Sequence, residues 1–168
     1  MEIKIREALP SDAGQILEHV KICGGETDNL SYGSEGLKLS IEEERKFLEE
    51  LLKSKNQIML VAETNGSIIG TANYSTSNIK RMSHRGSIGV CVQKKFWNRG
   101  IATSFMNQLI KFGREEAKGE IISIKVRSDN DSAIHLYKKF GFKKIGTFEG
   151  YYRIDDELID VQYMYLKL

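Results

Sequence analysis

The residues best placed to do chemistry lie in a basic, glycine-bearing turn, Gln93-Lys-Lys-Phe-Trp-Asn-Arg-Gly100, between an apolar strand ending at Val92 and a helix opening at Ile101-Ala102. The first N–H groups of a helix lack intrahelical partners, and the aligned peptide dipoles add positive potential there. A glycine turn feeding such a start aims several N–H groups at one spot and suits a phosphate or pyrophosphate. A plain helix start with a solvated Arg99 accounts for the same residues. The spacing matches neither Gly-x-x-x-x-Gly-Lys-Ser/Thr nor Gly-x-Gly-x-x-Gly, which argues against a nucleoside triphosphate or a dinucleotide. A second segment, Asn130 to Phe142, carries a helix cap at Asn130, apolar residues Ala133, Leu136, Tyr137 and Phe140 at helical spacing, and a stop at Gly141. Its one phenol, Tyr137, could hold a proton at the edge of the core.

The elements that must position these segments follow from periodicity. A short strand holds Ile3 and Ile5. A helix capped by Ser11 or Asp12 carries Ile16, Leu17, Val20 and Cys23, and Gly24-Gly25 is expected to stop it. Residues 24–39 read as a long polar loop, and a loop of that length in a compact domain is more often functional than idle. Ser40 to Glu43 has capping-box spacing and opens a second helix with Phe47, Leu48, Leu51 and Leu52 on one face. Strands are expected over 57–63 and 67–75, joined by the hairpin signal Asn65-Gly66. A charged turn over 78–83 leads to a central strand over 84–92. Then come a helix over 100–116, a strand over 120–127 with Ile122, Ile124 and Val126 on one face, the helix of Tyr137, and two strands over 142–149 and 157–167. Hairpins first and β-α-β crossovers later predict an α/β (α+β) fold: a mixed, mostly antiparallel sheet of about seven strands flanked by about four helices on both faces.

Composition narrows the setting. The 168 residues suffice for one domain with a full core, so 1–168 is read as a single unit. A net charge of +2 gives no footprint for nucleic acid, and no apolar run reaches membrane-span or signal-peptide length. Cys23 and Cys91 are far apart in the chain, without metal-ligand or redox-pair spacing, so no metal is expected and both read as reduced thiols of a cytoplasmic protein.

The two chemical segments together resemble the GNAT superfamily of N-acetyltransferases. Phe96-Trp-Asn-Arg-Gly-Ile-Ala102 is similar to its acetyl-CoA loop, with Trp97 where Gln or Arg is usual. Asn130-x-x-Ala133-x-x-Leu136-Tyr137-x-x-x-Gly141-Phe142 is similar to its second signature. The element order matches along nearly the whole chain. The resemblance implies transfer of an acetyl group from acetyl-CoA to a primary amine by direct attack on the thioester. It implies a pantetheine arm paired with backbone groups of Cys91 and Val92 that strand splaying leaves open, a cofactor contact at Gln93, and a pyrophosphate on the N–H groups of Asn98, Arg99, Gly100, Ile101, Ala102 and Thr103. It also implies a pantetheine hydrogen bond from Asn130, and Tyr137 as proton donor to the departing thiolate.

The base is less determined. Relatives often carry Glu on the central strand near Ser87, which cannot serve unaided. His84 has a suitable pKa range, and Glu26, in the long loop, could act through water. Acidic residues recur near Glu26, Asp28 and Glu35 and again at Glu149, Asp155, Asp156 and Glu157, pointing to a cationic small-molecule or peptide amine. Polyamine or ribosomal-protein acetylation is one alternative, and a catalytically silent acyl-CoA-binding module another. The aromatic final segment, with Tyr151, Tyr152, Tyr163 and Tyr165, is an edge through which a homodimer could pair.

Overall fold

The computed structural model describes residues 2–168. Seven strands, β1 (Lys4–Glu7), β2 (Ile58–Thr64), β3 (Ser67–Thr76), β4 (Arg85–Val92), β5 (Ile121–Arg127), β6 (Lys143–Ile154) and β7 (Glu157–Lys167), form one sheet in the order β1-β2-β3-β4-β5-β7-β6. Four helices flank it: α1 (Ala13–Glu26), α2 (Ile41–Leu52), α3 (Ile101–Glu115) and α4 (Asp131–Lys139). Every neighbouring pair is antiparallel except β4 with β5. This is the expected mixed, mostly antiparallel arrangement.

Alternation along the strands sorts the two faces. Leu60, Ala62, Ala72, Ile88, Ile122, Ile124 and Val126 join Phe105, Met106 and Leu109 of α3 in the larger core cluster. Val61 and Ile68 point the other way, to Ile16 of α1 and to Leu48 and Leu51 of α2. Local chemistry sets several element ends. Asn65 and Gly66 both adopt positive φ, 49° and 74°, the conformation a two-residue hairpin requires. Ser40 accepts from the Glu43 N–H at 3.2 Å while the Glu43 carboxylate takes the Ser40 N–H at 2.7 Å, so the capping box forms. Asp12 precedes α1 but does not cap it. Its carboxylate takes the Leu9 N–H at 2.8 Å and two nitrogens of Arg6, which also reaches Glu63.

Three expectations change. Gly24-Gly25 does not stop the first helix, which runs on to Glu26. These glycines make room instead: a Cβ at Gly24 would collide with the Gly33 carbonyl, and one at Gly25 would touch Ser34. The following loop therefore folds back onto the last turns of α1, starting at Thr27. The second hairpin is longer than expected, because two irregularities in the β6–β7 register break the periodicity of β6. On α4 the buried positions are Ile134 and Tyr137, while Ala133, Leu136 and Phe140 are half-buried.

Candidate active site

β4 and β5 run parallel and pair only at Arg85–Ile121, Gly86–Ile122 and Ser87–Ser123. Beyond Ser87 the two strands part. β4 stays zipped to β3 in unbroken register to Val92–Gly70, and the Gln93 N–H continues it to the Ile69 carbonyl at 3.0 Å. Backbone groups alternate sides along a strand. Gln93, Cys91 and Gly89 therefore face β3, and Ile88, Val90 and Val92 turn their N–H and C=O groups into the opening. By the same count Ser128 lies across the gap from Val92, and its hydroxyl is buried without a partner. A row of polar groups lining a slot suits a chain with amides of its own.

This register corrects two assignments. The Cys91 backbone is engaged with Thr71 on β3 and the Gln93 N–H with the Ile69 carbonyl, so neither is free for a pantetheine arm. The open groups belong to Val90 and Val92, so Val90 is a residue that the sequence did not single out. Its N–H faces the slot together with those of Ile88 and Val92. Val92 is only half free, because its carbonyl accepts the Trp97 indole N–H at 2.7 Å.

The slot leads into the loop read from the sequence. Asn98 (φ 60°) and Gly100 (φ 78°) are both left-handed, and Gly100 caps α3 with nothing within 4 Å of where a Cβ would lie. The first closing bond of α3 runs from the Ser104 N–H to the Gly100 carbonyl, so the N–H groups of Ile101, Ala102 and Thr103 have no intrahelical partner. Successive left-handed and helical residues make a concave nest of N–H groups for an anion. Arg99 lies over the Phe96 ring, 5.6 Å from its centroid, beside this nest.

On the far side of the slot, Asn130 caps α4 by accepting from the Ala133 N–H at 3.2 Å, leaving its carboxamide nitrogen to donate. Tyr137 shares the core cluster with Ile88, Val126 and Ile101. Burial pushes its phenol up to about 12, so the hydroxyl keeps its proton at neutral pH.

The base candidates scatter. His84 sits at the opposite end of β4, and at roughly 3.3 Å per residue its backbone is about 23 Å from Cys91. Its carbonyl binds the Glu120 and Ile121 N–H groups. Glu26 does reach the site, but its carboxylate accepts the Lys94 N–H at 2.6 Å and lies by the start of the anion loop. Ser87 shares a 3.1 Å hydroxyl contact with Ser75. With Asn73, they form a polar row on the face that α1 flanks.

The cysteines, distant in the chain, meet in space. Cys91 points to the α1 face, where Cys23 and His19 lie, and Tyr32 of the folded-back loop stands beside it. Hydrogen bonds from Cys23, and then from His19 and Tyr32, hold the Cys91 thiol below its ordinary range, while burial, then Cys91 and Cys23, raise Tyr32. A groove of about 570 Å³ lies nearby, lined by Gln15, Glu18, His19, Ile68, Gln93 and Arg99. It is larger than the recess of about 250 Å³ at Ser75, Ser87 and Ser123. Volume is a weaker guide here than unpaired polar backbone, which lies in the slot.

Known proteins repeat this architecture. The chain is 33% identical over 105 residues to the L-amino acid N-acetyltransferase AaaT of Escherichia coli (strain K12), a match covering 62% of this chain and 65% of that protein, just under two thirds of its length. A GNAT-family acetyltransferase from Streptococcus pneumoniae superposes with a TM-score of 0.95 at 32% identity, covering 99% of this chain and 100% of that one. The fold of yncA from Salmonella typhimurium, solved with acetyl-CoA, superposes with a TM-score of 0.85 at 18% identity over 98% of this chain and 93% of that one. Residues 28–142 match the Acetyltransferase (GNAT) family, and that span takes in the parted strands, the left-handed loop and the Asn130–Tyr137 helix: the chain belongs to the GNAT family of acetyltransferases.

Proposed function

We propose that this protein transfers an acetyl group from acetyl-CoA to a primary amine. The observation that carries the reading is the parting of β4 from β5, which opens the polar groups of Ile88, Val90 and Val92 into a slot ending at the α3 nest. In this reading the nest, from Asn98 to Thr103, takes the pyrophosphate. The Val92 N–H and the Asn130 carboxamide take amides of the pantetheine arm. The thioester supplies an activated acyl carbon. The Val90 N–H stabilises the charge that develops on its oxygen, a preorganised donor that needs no reorganisation during attack. Tyr137 holds a proton at its hydroxyl for the departing sulfur. Glu26, fixed by Lys94, takes the ammonium proton through water.

The acceptor enters over Asn73, Ser75 and Ser87, between the loop from Thr27 to Leu39 and the β6–β7 hairpin. Its class is a small-molecule or peptide amine, with cationic amines favoured by the acidic residues Asp28, Glu35 and Glu149. Polyamines and ribosomal-protein N-termini fall inside that class. The protein works in the cytoplasm, which fits its free thiols. No described helix is long and apolar enough to cross a membrane. The exposed Ile145 and Phe148 on the edge strand β6 make the final hairpin the surface for a homodimer.

The test is acetyl-CoA with a panel of amino acids, polyamines, aminoglycosides and peptides, read by CoA release. Saturable release with at least one acceptor is expected. One observation favours a silent acyl-CoA-binding module: Ser87, in mid-strand, is bonded to Ser75, and the Glu26 carboxylate is already bonded to the Lys94 N–H. Binding of acetyl-CoA without release across the panel would establish that reading.

A further inference from the structure

We propose that His19, Cys23 and Cys91 form a binding site for a zinc ion, independent of acetyl transfer. Their ligand atoms, one imidazole nitrogen and two sulfurs, all lie within 4.8 Å of one another. His19 and Cys23 are one turn apart on α1, so both point the same way from one helix face, and both are 1% exposed. Cys91 comes from β4, so the set joins two rigid elements. Around a tetrahedral zinc, S–S and S–N separations are about 3.5 to 3.8 Å, from bond lengths of roughly 2.3 Å and 2.0 Å. The Cys23 sulfur already stands 3.7 Å and 3.8 Å from the two His19 ring nitrogens. Closing the site needs a turn of the His19 ring, whose two nitrogens are now nearly equidistant from the Cys23 sulfur, and a shift of about 1 Å or less from Cys91.

The donor set is soft and nitrogen-containing, which selects zinc over magnesium or calcium. Thiolates neutralise the ion's charge in a buried place where an isolated cation would be costly. Three protein ligands leave a fourth position for water or an exchangeable ligand. The Gln93 carboxamide lies 3.3 Å from His19 Nδ1 and also donates to the Ile68 carbonyl. Coordination through Nε2 puts the ring proton on Nδ1, and the carboxamide then turns to offer its oxygen, the second-sphere partner that ligating histidines take.

The experiment uses the reduced full-length protein and zinc alone, titrated against a chromophoric chelator, followed by cobalt(II) substitution. One equivalent of zinc is expected to bind, and the cobalt form to show near-ultraviolet thiolate-to-metal charge-transfer absorption. Cys23→Ser and Cys91→Ser each abolish that absorption or weaken binding about a hundredfold or more, while His19→Gln weakens it at least about tenfold. Each variant is first checked by circular dichroism, and the unmodified protein's own cobalt spectrum stands independently of all three. No chelator-competing zinc uptake by the reduced protein, or a cobalt spectrum without thiolate charge transfer, would overturn the proposal. So would undiminished binding by a folded Cys23→Ser/Cys91→Ser double variant. Acetyl-CoA affinity, measured separately on zinc-free protein, reports on the acetyltransferase reading alone.

Discussion

The two halves of the site are built from different materials. The β5-facing half of β4, with the α3 nest, presents main chain: N–H and C=O groups of Val90 and Val92 and the N–H groups after Gly100. The opposite half, from the Thr27–Leu39 loop across Asn73, Ser75 and Ser87 to the β6–β7 hairpin, presents side chains. Backbone groups are placed by strand register and helix geometry, so they tolerate an unusual residue such as Trp97 in the loop. Side-chain walls are set by residue type and loop path, so they are where the proposed acceptor choice would lie. In the proposed reading, recognition of the acyl donor is therefore generic and that of the amine individual.

This contrast can be broken most sharply at Val90. Its N–H faces the slot and not the β3 ladder, so Val90→Pro should keep the fold yet lose the donor, lowering turnover about 10²–10³-fold. The same change at Cys91 removes a ladder bond and should prevent folding, as circular dichroism would report. Tyr137→Phe should lower turnover about a hundredfold with acetyl-CoA affinity unchanged by calorimetry. Full activity in that variant would remove Tyr137 as the acid.

A framework change calibrates both halves. Asp12→Ala breaks the cluster with Arg6 and strips the Leu9 N–H of its acceptor, costing about 2 kcal/mol in urea denaturation while leaving acetyl-CoA affinity alone. Arg6, first, and the Leu9 N–H hold the Asp12 carboxyl below its ordinary range. Its contribution is therefore full above the unfolded carboxylate pKa and is lost as pH falls through the lowered native value. The wild type should lose its advantage over Asp12→Ala in strong acid. A constant difference across that range would contradict the assignment. Trp97→Phe frees the Val92 carbonyl and should tighten acetyl-CoA binding about fivefold, one hydrogen bond's worth. The smallest effect belongs to the acidic rim. Asp28→Asn with Glu149→Gln should raise KM for a cationic amine about two- to fivefold, less in high salt, with no change for acetyl-CoA.

Much of the donor half was legible in the sequence because it depends on local rules. Gly100 had to be left-handed at a helix start, Asn65-Gly66 had to turn, and Ser40 with Glu43 had to cap. The isoleucines of β5 and the buried Tyr137 followed from periodicity. What stayed hidden depends on which neighbour a strand faces. The family resemblance implied splayed strands, but only the β3–β4 register decides that Val90 and not Cys91 opens into the slot. The glycines at 24 and 25 read as helix stops because the sequence does not show the loop that lies on them. The cluster of His19, Cys23 and Cys91 joins a helix and a strand distant in the chain, so no spacing rule could find it. His84 looked suitable by chemistry alone and failed on distance.

A crystal structure of the protein with acetyl-CoA tests the donor slot itself. The thioester carbonyl oxygen is expected about 3 Å from the Val90 nitrogen, with the pyrophosphate against the N–H groups between Asn98 and Thr103. A pantetheine arm lying instead in the groove of Gln15, His19 and Gln93, with the parted strands empty, would contradict it.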